Sequence, residues 1–149
     1  MDDFSAKPGS PNGGLMSYQG DANAIQPRKT PLSSMSPTIV LHDGRLFAVL
    51  GSPGGPTIIN TVLGVIVNLI DFKMNIADAV AFPRFHHQWT PDRLQVERGF
   101  SPDAIEKLKA LGHDVQISPA QGEVAAIVVN DGWLQGAADP RTEGTARGY

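Results

Sequence analysis

The sequence predicts an α+β fold, and three features carry that reading. Asp43-Gly44 and Asp131-Gly132 each separate two β-rich runs, the short-range signature of a β-hairpin. The stretch from about Thr57 to Phe72 is apolar around most of a helical circumference, which marks a buried helix. A further helix is signalled between two short β-rich runs by Ser101-Pro102-Asp103 at its start and Gly112 at its end. Antiparallel hairpins covered by helices make the class α+β, or a layered α/β/β/α arrangement.

Each element follows from local chemistry. Residues 1–36 hold no sustained periodicity, and Lys7-Pro8-Gly9-Ser10-Pro11-Asn12-Gly13-Gly14 is dense in turn formers. So long a tract is either a leader or a functional loop, and Phe4, Leu32 and Met35 weigh toward the loop. From Pro37 the chain turns regular, so the division falls between a loop region, 1–36, and a single domain, 37–149. Thr38–Leu41 and Arg45–Leu50 are the first two strands. Gly51-Ser52-Pro53-Gly54-Gly55-Pro56 breaks the second strand and leads into the apolar helix. On that helix Thr57, Asn60, Thr61, Gly64 and Asn68 form one narrow stripe; nearly everything else is Ile, Val or Leu, so the helix should lie between a sheet and another layer.

Asn75 is placed to cap a second helix, about Ile76–Phe82, which Pro83 stops. Leu94–Glu97 reads as a short strand. Ile105, Leu108 and Leu111 supply the apolar face of the helix that follows. Val115–Ser118, Val124–Asn130 and Trp133–Ala137 are three more strands, and Asp139–Tyr149 is a polar, turn-rich tail.

Composition narrows the function classes. With 149 residues, 41% apolar and 18% charged, the chain is neither disordered nor membrane-like. A net charge of −3 argues against a nucleic-acid-binding surface. The absence of cysteine excludes disulfides and Cys-ligated metal. The longest apolar run, Val62–Ile70, is far short of the ~20 residues of a membrane span, and the acidic start is no signal peptide.

Five segments could carry chemistry. The Gly51–Gly55 loop, between a strand and a helix N-terminus, is either a tight connection or an anion or oxyanion site made of backbone N–H groups. It lacks the Gly-Lys-Ser/Thr of a phosphate loop. Pro31-Leu32-Ser33-Ser34-Met35-Ser36-Pro37 offers three hydroxyls, which alone read first as turn serines. His86 and His87 are adjacent in an extended segment and point to opposite faces, so packing is preferred to metal chelation. Asp2 and Asp3 could hold an ammonium group, but from spacing alone a plain charged terminus is the preferred reading. Asp139-Pro140-Arg141 reads as an Arg–carboxylate bridge that holds the tail.

Six blocks occur in order: Met1-Asp2-Asp3-Phe4, Gly20-Asp21-Ala22-Asn23, Pro31–Thr38, Gly51-Ser52-Pro53-Gly54-Gly55, Pro83-Arg84-Phe85-His86-His87-Gln88-Trp89 and Asp139-Pro140-Arg141. Together they closely resemble the C-terminal part of the γ-glutamyltransferase (γ-glutamyltranspeptidase, glutathione hydrolase) small subunit, over essentially the whole chain. The resemblance implies an αββα sandwich of the N-terminal-nucleophile hydrolase type, incomplete in this chain. It implies γ-glutamyl transfer from glutathione and other γ-glutamyl amides to water or to amino acid or peptide amines, through a γ-glutamyl-enzyme intermediate. It implies no cofactor. By the same resemblance Gly54 and Gly55 supply the oxyanion N–H groups. Ser33 and Ser34 bind the substrate α-carboxylate and Asp3 its α-ammonium, which makes residues 1–36 a substrate-site loop region.

The family's nucleophilic threonine lies upstream of the Met-Asp-Asp block, and none of this chain's threonines stands in its context. The expected partners are therefore the large subunit and the remaining part of the small subunit, and the chain alone is expected to be inactive. Family members are mostly exported, which implies a periplasmic or extracellular location. A non-catalytic glutamyl- or glutathione-binding domain, or a related acylase, is the alternative.

Overall fold

A computed structural model describes Phe4, residues 21–89 and residues 91–148. The chain divides into two units, Met1–Met35 and Ser36–Tyr149.

Among the described residues of the first unit, a 3₁₀ turn spans Asp21–Asn23. Asn23 is buried and its Oδ1 accepts the Leu32 N–H at 3.2 Å, so one side chain braces the start of the serine segment. Lys29 Nζ donates to the Ala22 carbonyl at 2.6 Å.

The second unit is α+β, as expected. Strand β1 (Thr38–His42) pairs antiparallel with β2 (Arg45–Gly51), β2 with β6 (Ala125–Asn130), and β6 with β7 (Trp133–Ala137), giving the order β1-β2-β6-β7. Both Asp-Gly pairs make two-residue turns, with φ of 49° and 75° at Asp43 and Gly44 and of 49° and 80° at Asp131 and Gly132. Positive φ at both positions is the type I′ geometry, whose twist matches the flanking strands.

Helix α1 (Ile58–Ile70) and helix α2 (Ile76–Ala81) cover one face of this sheet. Their contact with it is the core: Ala48, Leu50, Val62, Val65, Leu69, Val80, Ala126 and Val128 are all buried there. Asn75 caps α2, its Oδ1 accepting the Asp78 N–H at 2.9 Å.

A second sheet has the order β3-β4-β5, formed by Phe85–His86, Leu94–Glu97 and Val115–Ser118. Helix α3 (Pro102–Ala110) connects β4 to β5, which run parallel. Such a pair needs a crossover of this kind. Gly112, at φ 97°, ends α3, and the bonds from Gly112 N to Lys109 O and from His113 N to Leu108 O form a Schellman motif.

Three local expectations need correction. Helix α1 is buried on one face only: Ile58, Thr61, Val62, Val65 and Leu69 face the core, while Ile59, Leu63 and Ile70 are exposed. The polar stripe is taken up by neighbouring elements. Thr61 is buried, Asn60 reaches His86, and Asn68 Nδ2 donates to the Ala79 carbonyl, because these side chains satisfy polar groups of β3 and α2. Ser101 stands at the α3 N-cap, but its hydroxyl makes no capping bond, and Leu111 is exposed at the helix end. Finally, β3 is a strand, since Phe85 and His86 pair with Val96 and Gln95.

The outward face of the first sheet is apolar. Register places Ile39, Leu41, Leu46, Val49, Ile127 and Leu134 on it, and they are 41–72% exposed.

Candidate functional site

The Gly51–Gly55 segment closes β2 and opens α1 through one 3₁₀ turn, Gly55–Thr57. Gly54 has φ 140° and Gly55 φ 57°, two consecutive positions that side-chain-bearing residues rarely adopt. The Gly54 carbonyl accepts both the Thr57 N–H at 3.2 Å and the Thr57 hydroxyl at 2.9 Å, so it is turned toward the helix. The Ser52 hydroxyl donates to the Pro53 carbonyl at 2.7 Å and accepts the Glu123 N–H at 3.0 Å. The loop's carbonyls at 53 and 54 are thus tied from behind, and no acceptor among the described residues meets the N–H of Gly54 or Gly55. Two adjacent donors at the positive end of a 13-residue helix favour an anionic oxygen.

Ser33 and Ser34 belong to the first unit. Ser33 Oγ accepts the Met35 N–H at 3.2 Å, and both residues lie on the stretch that Asn23 braces. Asp3 lies outside the described residues.

The Asp139–Arg141 bridge is present and larger than expected. It is a buried cluster of two arginines and two carboxylates, drawn from β4, from the segment before β3 and from the tail. Asp139 Oδ2 meets Arg84 Nη2 at 2.6 Å, and Asp139 Oδ1 meets Arg141 Nη1 at 3.1 Å. Arg141 also clasps Glu97 through Nε and Nη2. Backbone groups complete the set. The Val80 carbonyl, at the end of α2, accepts from both arginines at 3.0 Å, Val124 N–H donates to Asp139 at 2.7 Å, and Arg84 N–H donates to Glu97 at 2.8 Å.

The charges follow from this geometry. Burial alone pushes the Asp139 carboxyl upward, but the Val124 N–H and the Arg84 and Arg141 guanidiniums outweigh it and hold it below the usual carboxylate range. Glu97 is held low in the same way, against burial, by Arg141 and by the N–H groups of Gln121 and Arg84. Burial lowers Arg84, and its partners only partly offset this. At Arg141 the bonds to Glu97 and Asp139 prevail over burial and raise it. Each arginine and each carboxylate is ion-paired, with the buried Arg84 Nε left without a hydrogen-bond partner among the described residues, and the cluster is built as a structural clamp, not an acid–base pair.

His86 is buried, its Nδ1 3.1 Å from Asn60 Oδ1 and its Nε2 2.9 Å from Gln88 Oε1. His87 Nε2 instead meets Asp92 at 3.0 Å. The two rings thus serve different partners. Among the described residues no group of three or more His, Asp or Glu side chains could hold a metal ion. Nor, among them, is any helix long and apolar enough to cross a membrane.

A family model described as gamma-glutamyltranspeptidase matches residues 1–149. The chain belongs to the gamma-glutamyltranspeptidase family. The glutathione hydrolase proenzyme of Escherichia coli K12 is 58% identical over 144 residues, which cover 95% of this chain and 24% of that relative. A gamma-glutamyltranspeptidase T380A mutant from Helicobacter pylori superposes with a TM-score of 0.86 at 51% identity, covering 95% of this chain and 78% of that one. The enzyme from Pseudomonas nitroreducens complexed with L-DON gives a TM-score of 0.86 at 40% identity, over 99% and 78%. The chain spans about a quarter of the length of the curated relatives it matches, 24% and 28% for two bacterial ones.

Membership leaves the roles of individual residues to be argued from geometry. Sequence reasoning missed Arg84, Glu97, Gln121 and Gly122. Nothing local distinguishes a buried Arg84 or Glu97 from a surface charge, and Gln121-Gly122 reads only as a turn.

Proposed function

We propose that this chain supplies the oxyanion loop and the glutamyl-binding residues of an enzyme that transfers γ-glutamyl groups. Its donors would be glutathione and related γ-glutamyl amides, its acceptors water or amino acid and peptide amines. The observation that carries the reading is the Gly54–Gly55 pair, with two consecutive positive-φ residues whose N–H groups meet no acceptor among the described residues. Attack on the γ-amide carbonyl puts negative charge on its oxygen, and these two N–H groups would hold it more tightly than they hold the ground-state carbonyl. The other end of the substrate is a zwitterion. The Ser33 and Ser34 hydroxyls donate to its α-carboxylate, and the Asp3 carboxylate accepts from its α-ammonium. The nucleophile is assigned to none of this chain's threonines, which makes a γ-glutamyl-threonine intermediate the work of a partner segment. That segment and a large subunit are the proposed partners, and a periplasmic or extracellular site is the proposed location.

The exposed apolar outer face of β1-β2-β6-β7 supports an αββα sandwich in which a second sheet packs on that face, with α1 and α2 as the helical layer behind the first.

The test is a chimera in which this chain replaces the matching region of the Escherichia coli glutathione hydrolase proenzyme. The chimera should hydrolyse a γ-glutamyl anilide, and Gly55→Pro should abolish turnover, since proline lacks the N–H and cannot take φ 57°. An inactive chimera that is correctly folded, or an active Gly55→Pro variant, overturns the proposal. Saturable glutathione binding without turnover would support the non-catalytic domain instead.

A further inference from the structure

We propose that Gly122 is a positioning residue for the oxyanion loop, and that it couples that loop to the buried ion cluster; the catalytic part rests on the function proposed above. Residue 121 is pinned on both sides of its backbone. The Gln121 N–H donates to Glu97 Oε1 at 2.6 Å and the Gln121 carbonyl accepts from Arg84 Nη1 at 2.6 Å. One residue later the chain turns at Gly122, φ 68°, and the Glu123 N–H then reaches Ser52 Oγ at 3.0 Å. The turn therefore lies against the back of the Gly51–Gly55 loop.

The fit leaves no room for a side chain. A Cβ on Gly122 would stand 2.5 Å from Ser52 Oγ, 3.2 Å from the Pro53 carbonyl oxygen and 3.2 Å from Thr61 Cγ2. None of these atoms can swing away cheaply. Ser52 Oγ is held by two hydrogen bonds, the Pro53 oxygen is backbone, and Thr61 is buried in α1. With residue 121 clamped by Arg84 and Glu97, the element left to move is the glycine loop. Its displacement would carry the Gly54 and Gly55 N–H groups off their aim. Such a shift weakens transition-state stabilisation more than substrate binding.

Two measurements on Gly122→Ala test this. In the chimera, kcat for a γ-glutamyl anilide should fall by about 10–100-fold with KM changed less than about threefold, the pattern of an interaction made in the transition state. Adding Ser52→Ala removes the nearest clashing atom and should recover about tenfold of that loss. Gly132→Ala is the control, with φ 80° and nothing within 4 Å of its Cβ, and should leave kcat unchanged. In the 149-residue chain, hydrogen exchange at the Thr57 and Glu123 amides should speed up in Gly122→Ala and not in Gly132→Ala. Unchanged exchange at both amides overturns the coupling, whatever the activity. Faster exchange with unchanged kcat overturns the catalytic role. An inactive parent chimera overturns the proposed function, while the exchange result still decides the coupling.

Discussion

Replacing Asp139 with alanine removes the acceptor shared by Arg84, Arg141 and the Val124 N–H, in a place where the carboxylate is 2% exposed. Truncating one partner of a buried ion pair costs about 3–5 kcal/mol, because the other charge stays buried and uncompensated. The orphaned Val124 N–H alone would account for about 1–3 kcal/mol. Both losses come from the same carboxylate and overlap, so about 4 kcal/mol is expected for Asp139→Ala. For a chain of this size that is a fall in Tm of about 8–16 °C, taking ~2–4 °C per kcal/mol. Asp139→Asn keeps the shape and one acceptor oxygen, and about 2 kcal/mol is expected for it. Urea titration of the 149-residue chain, followed by circular dichroism, reads both values against the parent, with m unchanged. A loss under about 1 kcal/mol for Asp139→Ala would refute the reasoning, because it would make the cluster energetically equivalent to a solvent-screened surface pair.

Further outcomes follow from the same structure. Asp139 and Glu97 titrate below their unfolded values, so their contribution is complete above about pH 5 and is lost as pH falls through the folded pKa. Acid titration should therefore bring the parent and Asp139→Asn stabilities together. In the chimera, Ser33→Ala and Ser34→Ala should each raise KM by about 10- to 150-fold with kcat little changed, as expected for a bond to a charged group worth ~1.5–3 kcal/mol, and should cost nothing for a donor without the α-carboxylate. Val49→Lys with Ile127→Glu, an opposite-charge pair across the β2–β6 ladder, should shift the chain's own stability by no more than about 0.5 kcal/mol per site, yet block assembly of the chimera; unimpaired assembly argues against a covering layer. Asn75→Ala should cost about 1 kcal/mol by removing the α2 cap, read by the same urea titration.

Much of the fold was legible because its signals are local. Asp43-Gly44 and Asp131-Gly132 specify the I′ turns that set two hairpin registers, and Asn75 and Gly112 mark helix ends by the bonds and φ values they allow. The site was legible to the same depth. The Gly51–Gly55 loop could be read as a set of converging N–H groups, but its competing reading as a plain connection was settled neither by spacing nor by composition. Leu111 shows the limit of periodicity: a helical stripe predicts which residues share a face, not whether a neighbour covers it.

The sequence by itself determined what a few adjacent residues can decide: turn type, caps, strand alternation, the positive-φ glycines and, through its ordered blocks, the family. Only the tertiary structure decided that β4 and β5 run parallel, that α1 has a free apolar side, and that Arg84, Glu97, Asp139 and Arg141 form one buried clamp. Arg84 and Asp139 are 55 positions apart, and Ser52 and Glu123 are 71 apart. No local propensity acts over such separations. Those contacts exist because packing desolvates the charges together, and a charge out of water must find its partner wherever the fold has brought one.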